Sequence, residues 1–189
     1  MKIGLFGDSF GYQQPNQPFD SWVDLLNNDM TIDNHCQCGV SEYKILQQLK
    51  SANLNKYDWV IVTHTSPTRV FVRHNPLYTE SNIYKNCDIL LADIESKNDK
   101  FSNVCKDYFK YIFDTEYAVD MHNLVCKEID NIVKDLNVLH ITHFDYTTCY
   151  QFPNLINFYN LWADNRGPVN HYNKYGNQQV YETVLKRLV

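Results

Sequence analysis

The chain predicts an α/β fold, a parallel sheet with helices on both faces. Three observations carry that expectation. Lys2-Ile3-Gly4-Leu5-Phe6 and Trp59-Val60-Ile61-Val62-Thr63 are short apolar runs without the alternation of a half-solvated strand, so they read as strands buried on both faces. Stretches with apolar residues at helical spacing separate such runs, and strands alternating with helices imply a parallel sheet. The chain has 189 residues, a length that buries about 70% of the surface exposed by the unfolded chain, enough for one domain spanning residues 1–189 without staples.

In chain order, the first strand meets Gly7-Asp8-Ser9-Phe10-Gly11, a turn that presents a hydroxyl at the strand's carboxyl end, where open α/β sheets bind ligands. Phe19, Trp22, Val23, Leu25 and Leu26 then predict a helix. Met30 to Asn34 is a short second strand. Ser41 reads as an N-cap for a helix carrying Ile45, Leu46 and Leu49 to about Lys50. After the third strand, residues 64–86 read as a long polar loop with two prolines, of the kind that often carries function. Two or three helices follow over residues 87–136, with Val104, Tyr108, Tyr111, Ile112, Leu124, Ile129 and Val133 at helical spacing. Asn137 to Thr142 is a fourth strand, and Lys174 to Leu188 a closing helix.

The formal net charge is -5 and the basic residues are scattered, so no phosphate-tracking stripe argues for nucleic acid. No stretch approaches the roughly 20 apolar residues of a membrane span, and the run from Met1 to Phe6 is too short for a signal peptide. A soluble cytoplasmic protein with six reduced cysteines is therefore expected. Abundant Asn, Lys, Tyr and Ile suit an AT-rich genome, such as that of a virus or a parasite. His35, Cys36, Cys38 and His64 lack the second ligand pair of a structural zinc site, and neither metal nor cofactor is expected.

Three motifs together resemble the SGNH (GDSL-like) hydrolases. Gly7-Asp8-Ser9 matches the block that holds the nucleophilic serine, Gly39-Val40-Ser41 is similar to the block whose glycine N–H faces the oxyanion, and His171-Tyr172-Asn173-Lys174-Tyr175-Gly176 resembles the block of the catalytic histidine. The resemblance spans nearly the whole chain and implies a three-layer α/β/α sandwich with a flavodoxin-like parallel sheet. It also implies an acyl-enzyme on Ser9, with His171 as base and the Ser9 and Gly39 N–H groups in the oxyanion hole. The physical need is plain: an alcohol attacks a carbonyl only when a neighbouring base takes its proton. Against these roles stand plainer ones, a capping serine, an exposed loop histidine and a turn glycine.

Two departures bear on the site. Aligned without gaps, the family's third block puts Thr65 where it has glycine and Pro67 where it has a donating asparagine; the Thr65 and Ser66 hydroxyls are nearest in sequence to replace that donor, unless they merely start a turn. Pro168 stands where the family often has an aspartate three residues before the histidine. Asp164 is the nearest upstream carboxylate, with a backbone carbonyl as the alternative. Asp8 is expected to brace the turn, Arg69 and Arg166 to hold a substrate carboxylate or simply to lie on the surface, and His143 is the runner-up base. The aromatic segment from Phe152 to Tyr159 is expected to shape the pocket. A small-molecule or glycan ester is the expected substrate; acyl transfer, or a carbohydrate-binding or viral structural protein on the same fold, are the other readings.

Overall fold

The computed structural model describes residues 1–12, 18–79 and 83–189, with the Val169 side chain set aside. Strands β1 (Lys2–Gly7), β2 (Thr31–Asn34), β3 (Trp59–His64), β4 (Val138–Thr142) and β5 (Leu155–Asn157) form one sheet in the order β2-β1-β3-β4-β5, every neighbouring pair parallel. This is the flavodoxin-like order, whose switch point lies between β1 and β3.

The period of two along each strand divides the core. Ile3, Leu5, Ile61, Leu139 and Ile141 point to one face, where α1 (Trp22–Asp29) and α7 (Lys174–Leu188) cover them with Trp22, Val23, Leu26, Val180, Val184 and Leu188; Trp162 of α6 (Tyr159–Asp164) joins the same cluster. Phe6, Val60, Val62 and Val138 point to the other, beneath Ile45, Leu46 and Leu49 of α2 (Glu42–Ser51) and Cys126, Ile129 and Val133 of α5 (Thr115–Val133). The result is the three-layer α/β/α sandwich that the motif order implies. Short α3 (Leu91–Ile94) and α4 (Lys100–Tyr111) precede α5. Among the described residues, no helix is long and apolar enough to cross a membrane.

Local chemistry sets the helix starts. Ser21 and Asp24 form a capping box on α1, Asp114 accepts the Tyr117 N–H on α5, and Asn173 accepts the Gly176 N–H on α7. Ser41 occupies the N-cap position of α2 but its side chain makes no capping bond. Its N–H instead donates to Asp88 Oδ2 at 2.7 Å. Asp88 also accepts the Val72 N–H and pairs with Lys44, both at 2.7 Å, which ties the long loop after β3 onto α2.

Two expectations change. Strand β5 lies inside the aromatic segment read as pocket wall: at three residues, Leu155–Asn157, it is too short to show a period. Of the stripe over residues 87–136, Ile129 and Val133 are buried, whereas Val104, Tyr108, Tyr111, Ile112 and Leu124 are exposed. Helical spacing there marks the helices but only part of it faces the core.

Gly7 closes β1 at φ +145°, and a Cβ built on it would lie 1.9 Å from Thr63 Oγ1 and 2.4 Å from the Thr63 carbonyl oxygen. Gly7→Ala is expected to destabilise the chain by about 2–3 kcal/mol or more, read by urea unfolding.

Candidate active site

The turn after β1 is built on that close approach. Thr63 Oγ1 accepts the Asp8 N–H at 3.2 Å and donates to Asp8 Oδ1 at 3.4 Å; Oδ1 also accepts the Phe10 N–H at 3.0 Å. Backbone bonds from Gly11 N–H to Asp8 O and from Tyr12 N–H to Ser9 O complete the turn, leaving Ser9 half-buried at its bend. Asp8 therefore braces the turn as expected. Its carboxyl is pushed up to about 7, chiefly by burial, against the pull of the Phe10 N–H and the Arg69 charge.

His171 arrives from the far end of the chain on a tight loop. Gly167 N–H donates to His171 O at 2.6 Å, His171 N–H to Pro168 O at 3.1 Å and Asn173 N–H to Asn165 O at 2.8 Å, while Arg166 and Tyr172 form an antiparallel bridge. Asn177 of α7 accepts the Trp22 N–H at 3.0 Å, and Trp22 Nε1 donates to Phe10 O at 2.8 Å, so the loop, α1 and the Ser9 turn are locked together. Ser9, Phe10, Tyr12, Ser21, His171, Tyr172 and Asn177 line one small depression of about 10 Å³, with the His171 ring 4.8 Å from that of Phe10. Residues 9 and 171 thus share a wall. A direct hydrogen bond from Ser9 Oγ to the imidazole is not among those formed between described residues.

The other expected residues lie elsewhere. Asp164 is exposed at the end of α6, and Arg166 is exposed with its guanidinium 4.3 Å from the Trp162 ring centroid. Gly39 has φ +69° and packs against Cys87, where a Cβ would come within 2.7 Å. Thr65 is buried and gives its N–H to Glu42 Oε2 at 3.1 Å; Ser66 Oγ bonds locally to Thr68 Oγ1 at 2.9 Å. Arg69 Nη1 is bound by Asp93 at 3.1 Å and by the Asp88 carbonyl at 3.2 Å. None of the six lines the depression. His143, the runner-up, is fully buried against Phe10 with Nδ1 held by Tyr172 Oη at 2.6 Å; burial, with help from His171, drives its pKa well below the ordinary value.

On the opposite face lies a polar cluster that the sequence reading did not assemble. Glu42 Oε1 lies 2.6 Å from His64 Nδ1, and His64 Nε2 lies 2.9 Å from His140 Nδ1. Burial lifts the Glu42 pKa and depresses those of His64 and His140, disfavouring every charged form. Donor atoms of Glu42, His122 and Cys126 lie within 4.8 Å of one another, a set able to hold a metal. A cavity of about 580 Å³ adjoins them, lined by Glu42, His122, Arg69, Phe71, Tyr108 and Met121 among others. The available signal was His122 and Cys126 four residues apart on a helix, with Glu42 opening another.

Asp8 offers a test of the turn. Because its folded-state pKa is about 7 against 3.8 when unburied, the folded chain holds a proton there that the unfolded chain has lost, and stability falls as pH rises through that window. Asp8→Asn keeps an acceptor for Phe10 and removes the charge. Its stability relative to the unaltered chain is expected to improve steadily between about pH 4 and pH 8 in denaturant titrations, whereas a pH-independent difference would contradict the assignment.

No protein-family model and no curated protein sequence matches the chain. Among solved structures it is similar to a catalytic mutant of an acetylxylan esterase from Geobacillus stearothermophilus, with a TM-score of 0.44 and 12% identity over 99% of this chain and 93% of that one.

Proposed function

We propose that the chain is a serine esterase of SGNH type. Ser9 attacks the ester carbonyl, His171 takes its proton and returns it to the leaving alkoxide, and water then releases the acid from the acyl-enzyme with the same imidazole as base. The observation that carries this reading is the meeting of Ser9 and His171, 162 positions apart in sequence, in one depression beside the carboxyl end of β1. The Ser9 N–H, at the bend of a braced turn, is the oxyanion donor of this reading; Gly39, the second donor that the resemblance implies, stands outside the lining of the depression. Asp164 is exposed at the end of α6, outside the lining of the depression, and a backbone oxygen is the alternative orienting partner.

The volume of about 10 Å³ holds roughly one water-sized sphere, so a short acyl group is favoured over a long one. Phe10, Tyr12 and Tyr172 give the depression aromatic walls, which suits an O-acetyl group carried on a carbohydrate. The same residues would support transfer of the acyl group to a sugar hydroxyl in place of water.

A binding protein without turnover is the second reading. It is favoured by the absence of Gly39, Thr65, Ser66 and Asp164 from the lining, since each missing oxyanion donor typically costs about 10²–10³ in turnover. The two readings separate on one experiment. The esterase is expected to be labelled by a fluorophosphonate and to hydrolyse a short-chain aryl acetate, with Ser9→Ala unlabelled and both Ser9→Ala and His171→Ala slower by about 10³-fold or more at unchanged fold. A chain that is neither labelled nor active, with its circular dichroism intact, is a binding module.

A further inference from the structure

We propose that Glu42, His122 and Cys126 form a divalent transition-metal site, of a kind that suits zinc, beside the large cavity on the α2/α5 side, which Glu42 and His122 line. All three side chains are buried and their donor atoms lie within 4.8 Å of one another. Helix geometry brings them together. Residues 122 and 126 stand about one turn apart on α5 and face the same way, while Glu42 opens α2, which packs against α5.

The ligand chemistry suits zinc. One nitrogen, one thiol sulfur and one carboxylate oxygen are all accepted by Zn²⁺, whose bonds of about 2.0 Å to N or O and 2.3 Å to S put tetrahedral ligand atoms roughly 3.3–3.6 Å apart, so donor atoms up to 4.8 Å apart need to draw in by at most about 1.5 Å. Coordination by Cys126 exchanges the thiol proton for the metal and releases that proton to solvent. Tyr146 Oη lies 2.6 Å from His122 Nε2 and 3.4 Å from Cys126 Sγ, so a further oxygen borders the set.

An outer shell is already in place. His64 Nδ1 lies 2.6 Å from Glu42 Oε1, and the Thr65 N–H donates to Oε2 at 3.1 Å, so the carboxylate is held from behind while each oxygen keeps a lone pair for a cation. Among the ion pairs of the described residues, Glu42 is matched by His64 alone, and a full positive charge beside it would offset the cost of burying a carboxylate in an apolar cluster. An independent observation points to the same cavity. Ser41 and Arg69 both line it, and Ser41 Oγ and Arg69 Nε are buried with no hydrogen-bond partner among the described residues, an unmet polar demand in the cavity wall. Three protein ligands next to a cavity of about 580 Å³ is the pattern of a site with an open coordination position.

The test is equilibrium dialysis of the whole chain against Zn²⁺, with Co²⁺ as a spectroscopic probe. One equivalent per chain and a thiolate-to-cobalt charge-transfer band are expected. Cys126→Ser should abolish the band, and both Cys126→Ser and His122→Ala should weaken binding by more than the roughly 10–100-fold expected for His64→Gln in the outer shell. A Cys36→Ser/Cys38→Ser double variant should bind as the unaltered chain does. Failure of the unaltered chain to bind a stoichiometric metal overturns the proposal whatever the variants do, as does loss of the band in the Cys36/Cys38 variant with retention in Cys126→Ser. The measurement does not depend on esterase activity, so the two readings stand or fall separately.

Discussion

Everything near the carboxyl edge of the sheet follows from how closely the end of β1 lies against β3. Gly7 and Thr63 are paired in register, and only a residue without a side chain fits there, because the Thr63 hydroxyl and carbonyl fill the space a Cβ would need. The approach lets Thr63 Oγ1 reach past Gly7 to the Asp8 N–H and carboxylate. A buried hydroxyl that both accepts and donates in this way fixes the direction in which the chain leaves the strand. The position of Ser9 is thus set by a contact two residues before it.

The last residues of β3 then serve two different places. Side chains alternate across a strand, so Thr63 turns toward the Ser9 turn while His64, one residue on, turns toward Glu42 on the opposite side. Thr65 extends the second set by giving its N–H to the same carboxylate. The hydrogen bonds of the His64-Thr65-Ser66 segment run to α2, to His140 of β4 and to a local turn. This is the physical reason that neither Thr65 nor Ser66 is found beside Ser9, although the sequence puts them at the adjacent strand end.

The layered fold was legible because its signals are local. Four β-branched or apolar runs and the switch of period between strands and helices are all written in short windows, as is the N-cap position of Ser41, although its side chain makes no capping bond. The fifth strand was not, since three residues at a sheet edge carry no pattern and depend on β4 for their pairing. The same distinction divides the site. Ser9 and His171 were legible through motifs on turns, whereas the placement of Asp164 and Arg69 depends on how a long loop docks. Asp88, which anchors that loop by bonds to Ser41, Val72 and Lys44, has no local sequence signature. The cluster around Glu42 escaped because its members come from four elements and the loops after β3 and β4, and each alone looks like an ordinary buried polar residue.

Size and chemistry rank the two concave regions in opposite orders. The larger of these two has room for a drug-sized ligand, as does an open hollow of about 590 Å³ bordered by Asn34, Gln37, Lys44 and Arg73, so volume alone selects no site. Room is not reactivity. Of its lining residues, Ser41 carries a hydroxyl with no hydrogen-bond partner, hence no base to accept its proton, and the His122 Nε2 nitrogen is engaged by Tyr146 Oη. An unassisted alcohol is a poor nucleophile at neutral pH. The smaller depression holds a serine on a braced turn and a histidine delivered by a separate, hydrogen-bonded loop, the two groups that nucleophilic chemistry needs. In the proposed esterase the covalent chemistry belongs to the small depression, while the large cavity, bordered by the buried Glu42 carboxylate and His122 imidazole with the Cys126 thiol close behind, is the place proposed for a cation.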